Sequence, residues 1–134
     1  MLIRLFYIPF CFFLLLILAN CAKIGSPAGG PRDETPPVVE SSEPMNRSVN
    51  FKGKQIEITF DEYIRTDALR QELIVSPPFE ERPEFRMRKK TLIIEWEEDL
   101  ADSTTYTFSF GEAIKDLNEG NILRNFEFVL STGS

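Results

Sequence analysis

Three groups of residues in this chain could do chemistry. The first is Cys21, one of two cysteines. Its thiolate is a nucleophile near neutral pH, able to attack a lipid donor where a hydroxyl would be far slower. The second is the run Asp116-Leu117-Asn118-Glu119-Gly120-Asn121. Asp116, Asn118, Glu119 and Asn121 offer several oxygen ligands from one loop, the donor set that calcium takes. The third comprises the acidic clusters Glu80-Glu81 and Glu97-Glu98-Asp99, since two carboxylates at a suitable separation can hydrolyse a glycosidic bond.

The latter two readings weaken on inspection. Against the EF-hand template, Gly120 falls at the fifth position of the loop instead of the sixth, and Glu127, at the twelfth, belongs to a strand. A tight turn is the plainer reading: Gly120 is free to take positive φ, and Asp and Asn side chains can bond the backbone. Asp61 and Glu62 could join a cation site from a neighbouring loop. The acidic clusters sit where exposed turns are expected, and a chain this short has no large scaffold to wall a saccharide cleft. There is no histidine, which removes Ser-His triads, His-ligated zinc and Cys-His nucleophiles. No catalytic residue, resident metal or cofactor is therefore expected.

Charge bears on partners. The chain carries 15 basic and 21 acidic residues. Without its first twenty residues, whose only charge is Arg4, the net charge is about −7. Nucleic-acid binding is dominated by Lys and Arg contacts to phosphate, so nucleic acid is set aside as a partner. The basic cluster Arg86, Arg88, Lys89 and Lys90 reads as the exposed face and turn of a strand.

The elements that position these residues fall into three stretches. Residues 1–20 place Arg4 ahead of a 14-residue apolar run, Leu5 to Leu18, which fits the n- and h-regions of a signal peptide. That run is shorter than the ~20 residues of a spanning helix. Cys11 lies inside it, so the folded part has no internal disulfide to form. Residues 21–37 carry Cys21 and a segment with three Gly and four Pro, expected to be a flexible tether reaching roughly 50 Å when stretched.

Residues 38–134 form the domain. Apolar residues recur there with period two in short bursts between turn-forming clusters, the pattern of half-buried strands. Seven strands are expected: Val38–Ser42, Gln55–Phe60, Glu72–Ser76, Glu84–Lys89, Thr91–Trp96, Thr105–Phe110 and Asn125–Leu130. Alternation turns Ile56, Ile58, Phe60, Leu92, Ile94, Trp96, Tyr106, Phe108, Phe110, Phe126, Phe128 and Leu130 inward. Ile64 to Gln71 breaks the period and has good helix formers, so a helical turn is expected there. The fold class is all-β: an antiparallel two-sheet sandwich of about seven strands, immunoglobulin-like, preceded by a signal-peptide helix and the tether.

Two resemblances sharpen this picture. Leu18-Ala19-Asn20-Cys21 resembles the lipobox of bacterial lipoproteins, with Asn20 a departure from the usual Gly, Ala or Ser. It implies cleavage before Cys21, diacylglyceryl transfer to its thiol and N-acylation, for instance with palmitate. Ala22, in place of Asp, implies by the same resemblance the outer membrane over the inner. Residues 36–132 resemble the bacterial Ig-like domain of the S-layer-protein (SbsA) type. The resemblance lies in Pro44, Ile56-Glu57-Ile58-Thr59-Phe60-Asp61-Glu62, Leu100 with Thr104-Thr105-Tyr106, Asp116 with Gly120-Asn121, and Phe126 to Ser131-Thr132.

Leu100 and Tyr106 resemble a tyrosine corner, whose hydroxyl bonds backbone a few residues upstream. Together these likenesses imply a non-enzymatic, lipid-anchored protein of the cell envelope. Its domain would act as a structural, spacer or protein-interaction module with an envelope protein or glycan as partner. The alternative is a carbohydrate-binding module or surface adhesin, which would need aromatic rings, Phe79 and Phe85 among them, open on a loop or sheet face.

Overall fold

The computed structural model describes residues 29–134; the expected signal peptide, Cys21 and the first part of the expected tether lie outside these residues. The body runs from Arg32 to Ser134. Its elements, in chain order, are β1 (Val39–Glu43), β2 (Gln55–Phe60), β3 (Ile64–Arg65), α1 (Leu69–Glu72), β4 (Ile74–Ser76), β5 (Glu84–Arg88), β6 (Thr91–Glu95), β7 (Thr105–Ser109), β8 (Lys115–Asp116) and β9 (Glu127–Ser131).

Two antiparallel sheets face each other, one in the order β1-β2-β6-β5 and the other β4-β7-β9. Four strands against three in this order is the arrangement of a constant-type immunoglobulin sandwich. Each of the seven expected strands is present, Gln55–Phe60 with the same bounds and the others with ends shifted by at most two residues. Glu72 is the exception to a simple shift, since it closes α1 instead of opening β4.

The core follows from side-chain alternation. Ile56, Ile58, Phe60, Leu92, Ile94, Trp96, Tyr106, Phe108, Phe110, Phe128 and Leu130 are buried between the sheets. Phe126 is only half-buried and packs on Phe110 with ring centroids 5.3 Å apart. Each large side chain fully withdrawn from water contributes about 1.5–3 kcal/mol, so packing can hold this sandwich without a disulfide. Phe79 reaches in from the loop after β4 and meets Trp96 at 5.3 Å and Tyr106 at 5.7 Å.

Three features depart from the sequence reading. The expected helical turn over Ile64–Gln71 is confined to α1, because Ile64 pairs with Asp116 and Arg65 with Lys115 in a small antiparallel ribbon. That pairing lets Ile64 enter the core. Ile93 has the outward phase of β6 and yet is 1% exposed. It sits opposite Glu57 on one side and Arg86 on the other. Ion pairs Arg88–Glu57 (2.6 Å) and Arg86–Glu95 (2.5 Å) span the same face, and the apolar stems of these long side chains cover the methyl groups. This is the exposed strand face expected for Arg86 and Arg88, and Lys89 takes φ 57° in the turn beyond it.

Finally, residues 46–51 cross from the first sheet to the second and run parallel to β9, with a bridge from Ser48 to Leu130. No side-chain period marks this segment, because its attachment is through backbone and Asn46.

Candidate functional site

The two ends of the sandwich hold the candidate residues. At one end, the turn after β8 closes over Asp116, which is 1% exposed. Its Oδ1 accepts from the backbone N–H groups of Glu119 (2.7 Å) and Gly120 (2.8 Å), and its Oδ2 accepts from that of Asn121 (2.9 Å). Gly120 has φ 81°, open to glycine without strain, and this bends the chain back over the carboxylate. Burial alone would raise the Asp116 pKa, but the backbone amides outweigh it and hold the carboxyl below its ordinary value.

The same turn holds the incoming chain. The amide Nδ2 of Asn121 donates to the carbonyls of Asp33 (3.0 Å) and Thr35 (3.2 Å), and Arg32 donates to the carbonyl of Glu119 (3.0 Å). Val38 N–H donates to Asp61 Oδ1 at 2.8 Å, while Asp61 N–H returns a bond to the Val38 carbonyl. Pro37 is buried. Residues 32–38 thus form a strap on the body, overlapping the last part of the expected tether.

Within the strap, Asp33 Oδ1 accepts from Thr35 Oγ1 (2.7 Å) and Thr35 N (2.9 Å). These bonds lower the Asp33 pKa. Glu62 is pushed the other way, first by partial burial and then by the negative charges of Asp116, Asp61, Asp33 and Glu119.

The four calcium candidates are therefore placed as parts of a structural turn. Asp116 caps its own loop and Asn121 clamps the strap. Glu119 offers its carbonyl to Arg32, and Asn118 faces solvent. Among the described residues, no three Asp, Glu, Cys or His side chains converge so as to hold a metal ion.

At the opposite end, Glu80, Glu81, Glu84, Glu95, Glu97 and Glu98 surround a shallow cleft of about 320 Å³ together with Arg82 and Trp96. One of its carboxylates, that of Glu98, holds a loop. Both oxygens of Glu98 accept from Glu80 N–H at 3.1 Å, and Lys54 bridges to Asp99 at 2.9 Å and to the Glu97 carbonyl at 2.5 Å. The rings needed for glycan stacking are largely withdrawn: Phe79 and Phe85 pack against the core, whereas Tyr63 is 53% exposed, with Lys90 Nζ 6.0 Å from its ring centre.

The sequence reading missed the strap and the 46–51 seam. In the seam, Asn46 carried a side-chain signal. Its Nδ2 donates to the Glu127 carbonyl (3.0 Å) and its Oδ1 accepts from Val129 N–H (2.8 Å), so it copies the paired bonds of a strand residue.

Strap and seam together define a path through the body. The chain enters beside Asp61 and Asn121. It leaves beside Asn50 and Ser103, where Asn50 N–H donates to the Gly133 carbonyl and Thr132 pairs with Thr104. Entry lies at the end of β2 marked by Phe60. Exit lies at the end marked by Lys54, whose carbonyl accepts from Trp96 N–H.

Comparison with known proteins fits this architecture. The family model of the bacterial Ig-like domain matches residues 33–132. Among solved structures, an L,D-transpeptidase from Mycobacterium smegmatis is similar with a TM-score of 0.50 and 19% identity, over 74% of this chain and 41% of that one. The N-terminal part of the bacterial S-layer protein SbsC is similar with a TM-score of 0.51 and 17% identity, over 74% of this chain and 24% of that one. The chain thus spans less than half the length of either protein, and at these identities the likeness is one of fold. No curated protein matches the chain.

Proposed function

The chain belongs to the bacterial Ig-like domain family, and from that premise we propose that it is a non-enzymatic lipoprotein of the cell envelope. Cys21 carries the lipid anchor, with the outer membrane as its site. The domain acts as a spacer or protein-interaction module at the membrane surface. The observation that carries this reading is the path of the chain, which enters the sandwich at the Asp61 end and leaves at the Asn50 end. Whatever is attached on the two sides is then held apart by the length of the sandwich. The aromatic rings of the described residues support the same reading, since nearly all pack in or against the core.

Each buried methylene of an acyl chain contributes roughly 0.8 kcal/mol, so two or three chains on Cys21 give durable anchoring. The test is palmitate labelling of the full chain in a bacterial host, with mass analysis of the mature N-terminus, compared with Cys21→Ser and with globomycin treatment. Acylated Cys21 at the mature N-terminus, lost in the variant, is the expected result. An unmodified Cys21 overturns the anchoring claim. A glycan array probed with the protein and with Phe79→Ala addresses the carbohydrate-binding alternative, for which no signal is expected.

A further inference from the structure

We propose that the entry end of the sandwich docks on the lipid surface through Val38, Tyr63 and Leu117, so that the domain stands on the membrane with its acidic end outward. This rests on the lipid-anchored reading and adds to it a second, non-covalent contact made by the domain itself.

Apolar side chains gather where the chain enters. Val38, Tyr63 and Leu117 are three of the six large apolar side chains left more than half exposed among the described residues. None of the three packs in the core or against it. The backbone brings them together. Leu117 N–H donates to the Tyr63 carbonyl (2.9 Å), and Asp61, just before Tyr63 in the chain, donates its N–H to the Val38 carbonyl (3.0 Å). A contiguous apolar patch with a polar rim marks a surface made for contact.

The rim fits a bilayer interface. The β5–β6 turn lies at this end, since Phe60 N–H donates to the Lys90 carbonyl (3.0 Å). Lys90 Nζ donates to the Asp61 carbonyl and stands 6.0 Å from the centre of the Tyr63 ring, with Lys89 exposed beside it. A tyrosine ring enters the headgroup layer while neighbouring ammonium groups reach lipid phosphate. Asp61, Glu62 and Glu119 share this end, so the apolar contact leads and anionic lipid is not required. The opposite end is unsuited to such contact: six glutamates line its cleft with Arg82 as the one cation among them, and lipid phosphate repels that surface. Charge therefore selects the end that turns to the membrane.

The chain's length fits as well. Arg32 donates to the Glu119 carbonyl (3.0 Å), which fixes the strap in the turn that carries Leu117. From Cys21 to Arg32 the chain spans at most roughly 40 Å. An acylated Cys21 thus keeps the patch close to the bilayer at a high effective concentration, and a weak contact suffices.

The experiment uses the mature protein made from the full chain in a bacterial host. Acylation occupies the Cys21 thiol and cleavage removes Cys11, so a single introduced cysteine takes a fluorophore alone. Labels are placed through Asn118→Cys, beside Leu117, and Glu81→Cys, at the acidic end; both positions are exposed. In phosphatidylcholine vesicles carrying a nitroxide on the headgroup, the label at 118 should be quenched at least about threefold more than the label at 81. Tyr63→Ser combined with Leu117→Ser should remove most of that difference. Equal quenching at the two positions in acylated protein, or an unchanged difference in the folded double variant, overturns the proposal. If the double variant does not fold, the comparison of the two labels decides alone. Mass analysis of the same preparation reads the anchor separately. An unacylated Cys21 removes the anchor and the docking with it, whereas an acylated chain with equal quenching loses the docking alone.

Discussion

The hydroxyl of Tyr106 accepts a hydrogen bond from the backbone N–H of Ala101 at 3.0 Å, fixing the loop before β7 to the strand it precedes. The same loop is tied to the exit. Thr132 Oγ1 donates to the Ala101 carbonyl at 2.6 Å, and Thr104 N–H donates to Thr132 Oγ1 at 2.9 Å. With Leu100 packed against the core, this is a tyrosine corner on the edge of an Ig-like sandwich that has no inter-sheet disulfide.

Removing that hydroxyl strands a partly buried amide. Tyr106→Phe keeps the ring and its packing and so isolates the bond. Urea unfolding should show a loss of about 1–3 kcal/mol, and a variant as stable as the parent would deny the corner a structural role.

Ile93 lies outside the inter-sheet core, roofed by charged side chains. Ile93→Ala should cost about 2–5 kcal/mol, as in a core, because the ion-paired roof cannot collapse without breaking its geometry. Arg86→Ala removes one exposed pair and some of the cover, and should cost about 1 kcal/mol or less. Comparable losses from both substitutions in thermal or urea unfolding would mean that the roof, and not the isoleucine, carries the stability.

The strap makes a proteolytic prediction. Asn121→Ala removes both amide bonds to the Asp33 and Thr35 carbonyls without touching a strand. Local release of residues 32–35 should then become easier, and trypsin cleavage after Arg32 should speed up by about tenfold. An unchanged cleavage rate, followed by mass spectrometry, would show that the strap is held by other contacts.

These residues also mark what could be read from the chain itself. The inward phases of β2, β6, β7 and β9 were legible because two-residue alternation is imposed by the backbone on every half-buried strand. The Asp116 turn was legible through its Asp, Asn and Gly chemistry. Ile93 was not, since its burial is made by Arg86, Arg88 and Glu57 on neighbouring strands. The seam and the β3–β8 ribbon were hidden for another reason: apart from the two bonds of Asn46, their hydrogen bonds join backbone to backbone over long separations and leave no periodic trace in side-chain type. The turn's candidate ligands could be named, yet only the fold shows that Asp116 is already bonded to its own loop.

Glu62 gives a pH-dependent effect of one sign. Its folded pKa is raised above the ordinary 4.5 by partial burial and surrounding carboxylates, so its ionised form opposes folding at neutral pH. Glu62→Gln should be more stable than the parent at pH 7, by no more than about 1 kcal/mol given its partial exposure. Below the ordinary glutamate range the side chain is protonated in both states, and the two proteins should converge. A variant destabilised at pH 7 would show that the charge is compensated.

Asp116 should behave in the opposite sense. Its folded pKa lies below the ordinary 3.8 because three backbone amides favour the carboxylate over the cost of burying it. The stabilisation is therefore complete above the ordinary aspartate range and is lost as pH falls through the depressed folded value. Asp116→Asn does not titrate, and it turns an amide donor toward an N–H that already needs an acceptor. At pH 7 the substitution should cost about 2–4 kcal/mol, the scale of lost bonds to a charged acceptor in a buried site. The difference between parent and variant should stay level as pH falls towards 4, then shrink below it as the parent's carboxyl takes up its proton. Urea unfolding of both proteins between pH 7 and pH 2.5 measures it. A gap that is small at neutral pH, or one that widens on acidification, would mean that the turn is held by its backbone alone.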